Sequence, residues 1–100
     1  MSAHYSHGTG TIRFYPEGKS YANRDDFDGV VSVKWLDDKT ALLEAALGNE
    51  GGKRLKAAIE QLIPYGAQRI RMKRAKGHRA PKAWKIIETD DLENTWELVL

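Results

Sequence analysis

Thr40-Ala41-Leu42-Leu43-Glu44-Ala45-Ala46-Leu47, followed by Gly48-Asn49-Glu50-Gly51-Gly52, is the stretch on which the fold turns. Ala, Leu and Glu are strong helix formers because they lose little rotamer freedom in a helix. Asp38 stands where an N-cap would, and Gly48-Asn49 tolerate the left-handed backbone of a C-terminal cap. On composition, residues 40–47 are therefore predicted as a helix. The stretch also alternates, with Ala41, Leu43, Ala45 and Leu47 on one side. A strand hairpinned to the preceding residues is thus the competing reading.

The neighbours on either side read more simply. Val30-Val31-Ser32-Val33-Lys34-Trp35-Leu36 is β-branched and aromatic, hence a strand. From Gly52 to Ile63, the residues Leu55, Ala58, Ile59, Leu62 and Ile63 form one apolar stripe at helical period, and Pro64 and Gly66 end it. After that helix, Ile70 and Met72 point one way while Arg69, Arg71 and Lys73 point the other, the period of a strand. Residues 83–89 and 94–100 are two further strands, with Asp90-Asp91-Leu92-Glu93 as the turn between them. Thr11-Ile12-Arg13-Phe14-Tyr15 is a short strand, and residues 17–29 an acidic loop. Residues 1–10 are small and polar and are expected to be a disordered tail. The expected fold is α+β over residues 11–100. An antiparallel sheet of about four to five strands ends in a three-stranded meander, with one or two helices packed on one face.

Composition excludes several function classes. One hundred residues with 41% hydrophobic and 30% charged side chains make one small domain with one core. No run approaches the roughly 18 apolar residues of a membrane span. There is no Cys, hence no disulfide framework and no thiolate metal site. Together with an N-terminus that lacks an apolar leader, this leads to the expectation of a cytoplasmic protein. His4 and His7 are too few to hold a metal, and no cofactor is expected.

The net charge of +2 conceals a segregation. Residues 1–50 carry −3, residues 51–85 carry eleven bases against the single acid Glu60, and residues 86–100 carry five acids and no base. A basic block of this kind points to an anionic partner, nucleic acid or an acidic protein, with a homodimer as a further possibility. The candidate surface is Arg69, Arg71 and Lys73 on one strand face, extended by Arg74, Lys76, Arg79 and Lys82, with Trp84 as a ring that could stack on a base. Side chains alternating on a strand lie about 6.5–7 Å apart, close to the spacing of phosphates along a single strand. The ordinary alternative is internal pairing, with Glu88 and Glu97 on the last two strands opposite the basic row. A weaker phosphate site is the helix start at Gly51, Gly52, Lys53 and Arg54, where free N–H groups and the helix dipole favour an anion. Paired Asp residues sit at turns, and His78 is the only internal His, so no catalysis is expected.

Two family resemblances bear on these residues. The order strand, two helices, meander, with Arg74, His78 and Arg79 at the meander's first loop, resembles the RelE/ParE-type toxins. That likeness implies a small ribonuclease using those three side chains. If residues 40–47 are instead a strand, Gly51-Gly52-Lys53-Arg54-Leu55 ahead of an amphipathic helix and the strand at 67–73 resembles the cofactor-phosphate segment of GNAT-type acetyltransferases. The chain lacks that family's Q/R-x-x-G-x-G/A signature and the length for its substrate-binding helices.

Overall fold

Val31 and Val33 are buried while Val30, Ser32 and Lys34 are exposed, so β3 (Gly29–Trp35) turns one face to the core, as its alternation predicts. The next element is a strand, not the predicted helix. The structure, a computed structural model, describes residues 2–44, 51–77, 80 and 82–100, and in it Thr40–Glu44 form strand β4, antiparallel to β3. Leu36 N–H donates to Thr40 O across the turn. Asp37 rather than Asp38 does the capping there, its Oδ1 accepting the Lys39 N–H at 2.8 Å.

Burial explains why helix propensity loses. Thr40, Ala41, Leu42 and Leu43 are all at most 9% exposed. The strand has a neighbour on each side, with Leu42 between Lys34 and Arg71, and it buries residues on both faces, whereas a surface helix buries one stripe. Ordinary residues differ in helix propensity by up to about 0.7 kcal/mol each. Fully burying a Leu is worth about 1.5–3 kcal/mol. Residues 45–50 lie outside the described residues, so the predicted helix is corrected over 40–44 only.

Helix α1 (Gly51–Leu62) forms where its stripe predicts, with Leu55, Ala58 and Leu62 at most 3% exposed. A 3₁₀ turn (Ile63–Tyr65) ends it, and Gly66 takes the left-handed backbone at φ 96°. Strand β5 (Arg69–Ala75) then runs parallel to β4, pairing Thr40 with Arg69 and Leu43 with Met72. Its start is tied to the β3–β4 turn by Lys39 O, which accepts the N–H groups of both Gln68 and Arg69.

The last two strands are β6 (Lys85–Thr89) and β7 (Glu93–Val99). They form the expected hairpin, but β7, not β6, lies against β5. The predicted sequential meander is therefore corrected. β7 sets Leu98 and Trp96 beside Ile70 and Met72, and Glu97 beside Arg71. β6 is exposed at every residue, as an edge strand can be.

At the other edge, β1 (Ser2–Ser6) pairs with β2 (Thr11–Tyr15), so residues 2–6 belong to the sheet rather than to a disordered tail. Tyr5 anchors β1. Its ring is 4% exposed, its OH accepts from Trp35 Nε1 at 2.9 Å, and its N–H donates to Gln61 Oε1 on α1. The fold is α+β, with seven strands rather than four to five, in the order β1-β2-β3-β4-β5-β7-β6. β4–β5 is the one parallel pair among the described strands. No helix is long and apolar enough to cross a membrane among the described residues.

Two substitutions test this packing. Gly10 sits at φ 65°, and a Cβ there would stand 2.7 Å from Val33 O on the facing strand. The left-handed backbone alone costs a non-Gly residue about 1–2 kcal/mol. Gly10→Ala should therefore lower Tm by roughly 5–15 °C, while Gly8→Ala, which meets nothing, should leave it unchanged. The second concerns Asp90, whose Oδ1 accepts the N–H groups of Leu92 and Glu93 at 2.8 and 2.7 Å in the β6–β7 turn. The Glu93 N–H, and after it the Leu92 N–H, holds this carboxyl below the usual value of 3.8. The depressed group stabilises the fold above that usual value, and the contribution goes as pH falls through the folded-state pKa. Melting curves from pH 6 to pH 2 should show Asp90→Ala starting lower than the parent and losing less on acidification.

Candidate phosphate-binding surfaces

The pleat of β5 divides the basic block between the two faces of the sheet. Ile70 and Met72 enter the core with Leu55, Ala58 and Leu62 of α1, so Arg69, Arg71 and Lys73 project from the face that α1 leaves open, as expected. Arg74 follows Met72 by two residues and falls on the α1 side, paired in register with Asn94. The predicted row and its extension thus do not form one continuous surface. Lys76 lies in the turn after β5, its N–H donating to Leu92 O, and Lys82 is exposed between β5 and β6. His78 and Arg79 lie outside the described residues.

On the open face, internal pairing takes one of the three row members. Arg71 Nε donates to Glu97 Oε2 at 2.8 Å, with the two side chains 35% and 16% exposed. A cross-strand line runs Lys34, Leu42, Arg71, Glu97, Lys85, so the single acid stands between two bases. Arg69 and Lys73 are exposed, and neither is in an ion pair among the described residues. Lys73 faces Thr95, whose other neighbour is Glu88, so the second acid lies two strands from the row. Trp84 is 5% exposed and packed in the core cluster. It is a core residue, not a stacking platform, and the burial of its large ring outweighs any display to solvent.

The helix start departs from expectation in a similar way. Arg54 lies beneath α1 over the Phe14 ring, 5.3 Å from its centroid, and pairs with Asp28 at 3.2 Å. Gly29 is bare where the guanidinium passes. Arg54 is thus held by the fold and is not free for a phosphate. Lys53 is exposed, and the first turn of α1 holds no acidic residue. Because α1 links two parallel strands, it begins at the sheet edge where β4 and β5 end. The contact of Arg54 with Asp28, just before the start of antiparallel β3, marks the same edge. Arg74 and Lys76, at the end of β5, also belong to it. Trp84 shares the core with Leu55 and Met72, which brings the described part of the β5–β6 connection onto the α1 side of the sheet.

Sequence reasoning passed over Arg13, Arg24 and Phe27. They meet at a cleft beneath the loop between β2 and β3. The only signal for it was the presence of aromatic and Arg residues in a loop otherwise rich in Asp, Asn and Gly. No group of three or more His, Asp or Glu is placed to hold a metal among the described residues. The strand-helix-helix order behind the RelE/ParE resemblance is not the order found, since residues 40–44 are a strand. No family model, curated protein or solved structure matches the chain significantly.

The charge pairing predicts an asymmetry along β5. Arg71→Ala leaves Glu97 largely buried without its partner and should cost about 1.5–3 kcal/mol, read by urea or thermal melting. Arg69→Ala, at an exposed position, should stay within about 0.5 kcal/mol of the parent.

Proposed function

We propose that the protein binds phosphate-bearing polyanions, nucleic acid above all, at the sheet edge where β4 and β5 end. The observation that carries this reading is the β4–α1–β5 unit itself. In open sheets with parallel strands, ligands gather at a point outside the carboxyl ends of those strands. Here that point coincides with a helix start free of acidic residues. The N–H groups that any helix start leaves without intrahelical partners, and the positive end of the dipole, favour an anion there. Lys53, Arg74 and Lys76 supply the charge, Lys82 follows in the β5–β6 connection, and the helix opens on Gly51 and Gly52, residues without a side chain. The reading is one of binding, with no reaction attached.

Binding of labelled single-stranded RNA and DNA across a salt series tests it. Each phosphate neutralised on a single strand contributes about 0.7 to the slope of log affinity against log salt, so three contacts give a slope near −2. The double variant Lys53→Glu/Lys76→Glu should remove binding, and Arg69→Glu/Lys73→Glu should leave most of it. The opposite pattern would move the interface to the open face. Capture of polyglutamate in place of both nucleic acids would mean an acidic protein partner.

A second reading has one specific observation in its favour. The GNAT-type resemblance required residues 40–47 to be a strand, and Thr40–Glu44 are one, followed by α1 and by β5 parallel to it. On this reading the same edge takes the phosphates of a coenzyme A-type cofactor. Acetyl-coenzyme A at 100 times its dissociation constant would add about 2.7 kcal/mol, a Tm rise on the order of 10 °C. An unchanged Tm removes the cofactor and leaves the polyanion.

A further inference from the structure

The segment between β2 and β3 folds back over the open face of β1 and β2. It has no helix or strand, yet its own hydrogen bonds hold it. Asp25 Oδ2 accepts the Ser20 N–H at 3.0 Å, Asp25 N–H returns to Ser20 O, and Arg24 N–H donates to Tyr21 O. A long ordered loop of this kind is seldom a mere connector. It borders an open cleft of about 440 Å³, within the range of about 300–1,000 Å³ of small-molecule sites.

The lining is chemically specific. Tyr15 is buried at the floor, at 2% exposure, with Phe27 edge-on to it at 6.4 Å. Tyr21 is stacked on His4 at 3.6 Å, and both Tyr21 and Phe27 remain about half exposed. The Arg13 guanidinium sits 5.5 Å from the Phe27 centroid and donates to Ser6 Oγ, which fixes it. Arg24 has φ 57°, a left-handed backbone that an ordinary side chain adopts at a cost. Neither Arg24 nor Asp26 is in an ion pair among the described residues. The cleft therefore offers two half-exposed rings, two guanidiniums, the unpaired carboxylate of Asp26 and that of Asp25, which already accepts the Ser20 N–H. An organic cation would meet both guanidiniums. A purely apolar guest would strip water from the charged groups without replacing it.

We propose that this cleft is a nucleotide site: it takes a nucleoside monophosphate, the base against Tyr21 and Phe27, a base N–H or ribose hydroxyl on Asp26, and the phosphate on Arg24 and Arg13. Aromatic rings stack bases of any identity, and the Arg fork suits a phosphate. The site lies across the sheet from α1, and it stands or falls apart from the edge reading above.

Titration calorimetry with the four nucleoside monophosphates, adenosine and inorganic phosphate tests it on the full chain. At least one monophosphate should bind about tenfold or more tightly than either adenosine or phosphate, since both halves of the ligand contribute. Arg24→Gly should lose that binding while keeping or raising Tm, because Gly accepts the left-handed backbone freely. Phe27→Ala should lose it too, and Lys53→Glu/Lys76→Glu should bind as the parent does. Monophosphates binding no more tightly than phosphate alone, or binding that survives both Arg24→Gly and Phe27→Ala, would overturn the proposal. Adenosine binding as tightly as its monophosphate would overturn the role given to the two Arg residues.

Discussion

Burial of β4 on both faces is the constraint on which the rest depends. Once Ala41 and Leu43 face α1 and Leu42 faces the other way, both flanks of the strand must be covered by sheet. β3 covers one flank through a short hairpin. The other falls to β5, which comes after a helix and so arrives parallel, because a crossover returns the chain to the end it started from. The direction of β5 then fixes where its cations lie and which edge receives the start of α1. The acid-free helix start and the ends of β4 and β5 meet for this reason alone.

A seven-stranded sheet is wide for the one α-helix, of twelve residues, among the described residues. The chain covers it piecemeal. α1 packs chiefly against β1, Trp84 shares the core with α1, and the loop after β2 shields part of the opposite face. On the open face of β3, β5 and β7, exposed Lys34, Arg69 and Lys73 stand with Ser32 and the exposed Val30 and Val99. Arg71 and Glu97 neutralise each other at its centre, so this face is a mixed surface rather than a uniformly positive one. Segregation of charge along the sequence does not carry over into space, because β7 brings the acidic segment back against the basic strand.

The elements set by local periodicity were legible in the sequence. β3, α1 and β5 bury the residues their spacing selects, except that Ile59 is only partly buried and Ile63, in the 3₁₀ turn, is 52% exposed. The misreadings all involve partners distant in the chain. Thr40–Glu44 look helical until β5 is beside them. Ser2–Ser6 look like a tail until Tyr5 finds Trp35 and α1. β7 sits between β5 and β6 through pairings across the chain, Ile70 with Leu98 and Arg71 with Glu97 among them, and no local pattern ranks these above the sequential order. The candidate sites fared likewise. Arg69 and Lys73 are where alternation puts them, but Trp84 and Arg54 were spent on the core and on Asp28, and a single-sequence reading has no means of seeing that.

The insertion of β7 between β5 and β6 also sets an order of dependence. Among the described residues β6 has no sheet neighbour other than β7, so its hold on the domain is borrowed through that strand. The two strands thus make one docking unit, a hairpin whose inner member carries the outer. Damage to residues 93–99 removes two of the seven strands and uncovers the flank of β5, whereas loss of β6 trims only an edge. The shift of register between Ile86 and Glu88 bends that outermost strand, and Lys85 sits on it. Both features make it a poor template for a second chain, which protects a border strand whose exposed Ile86 and Ile87 would otherwise invite one.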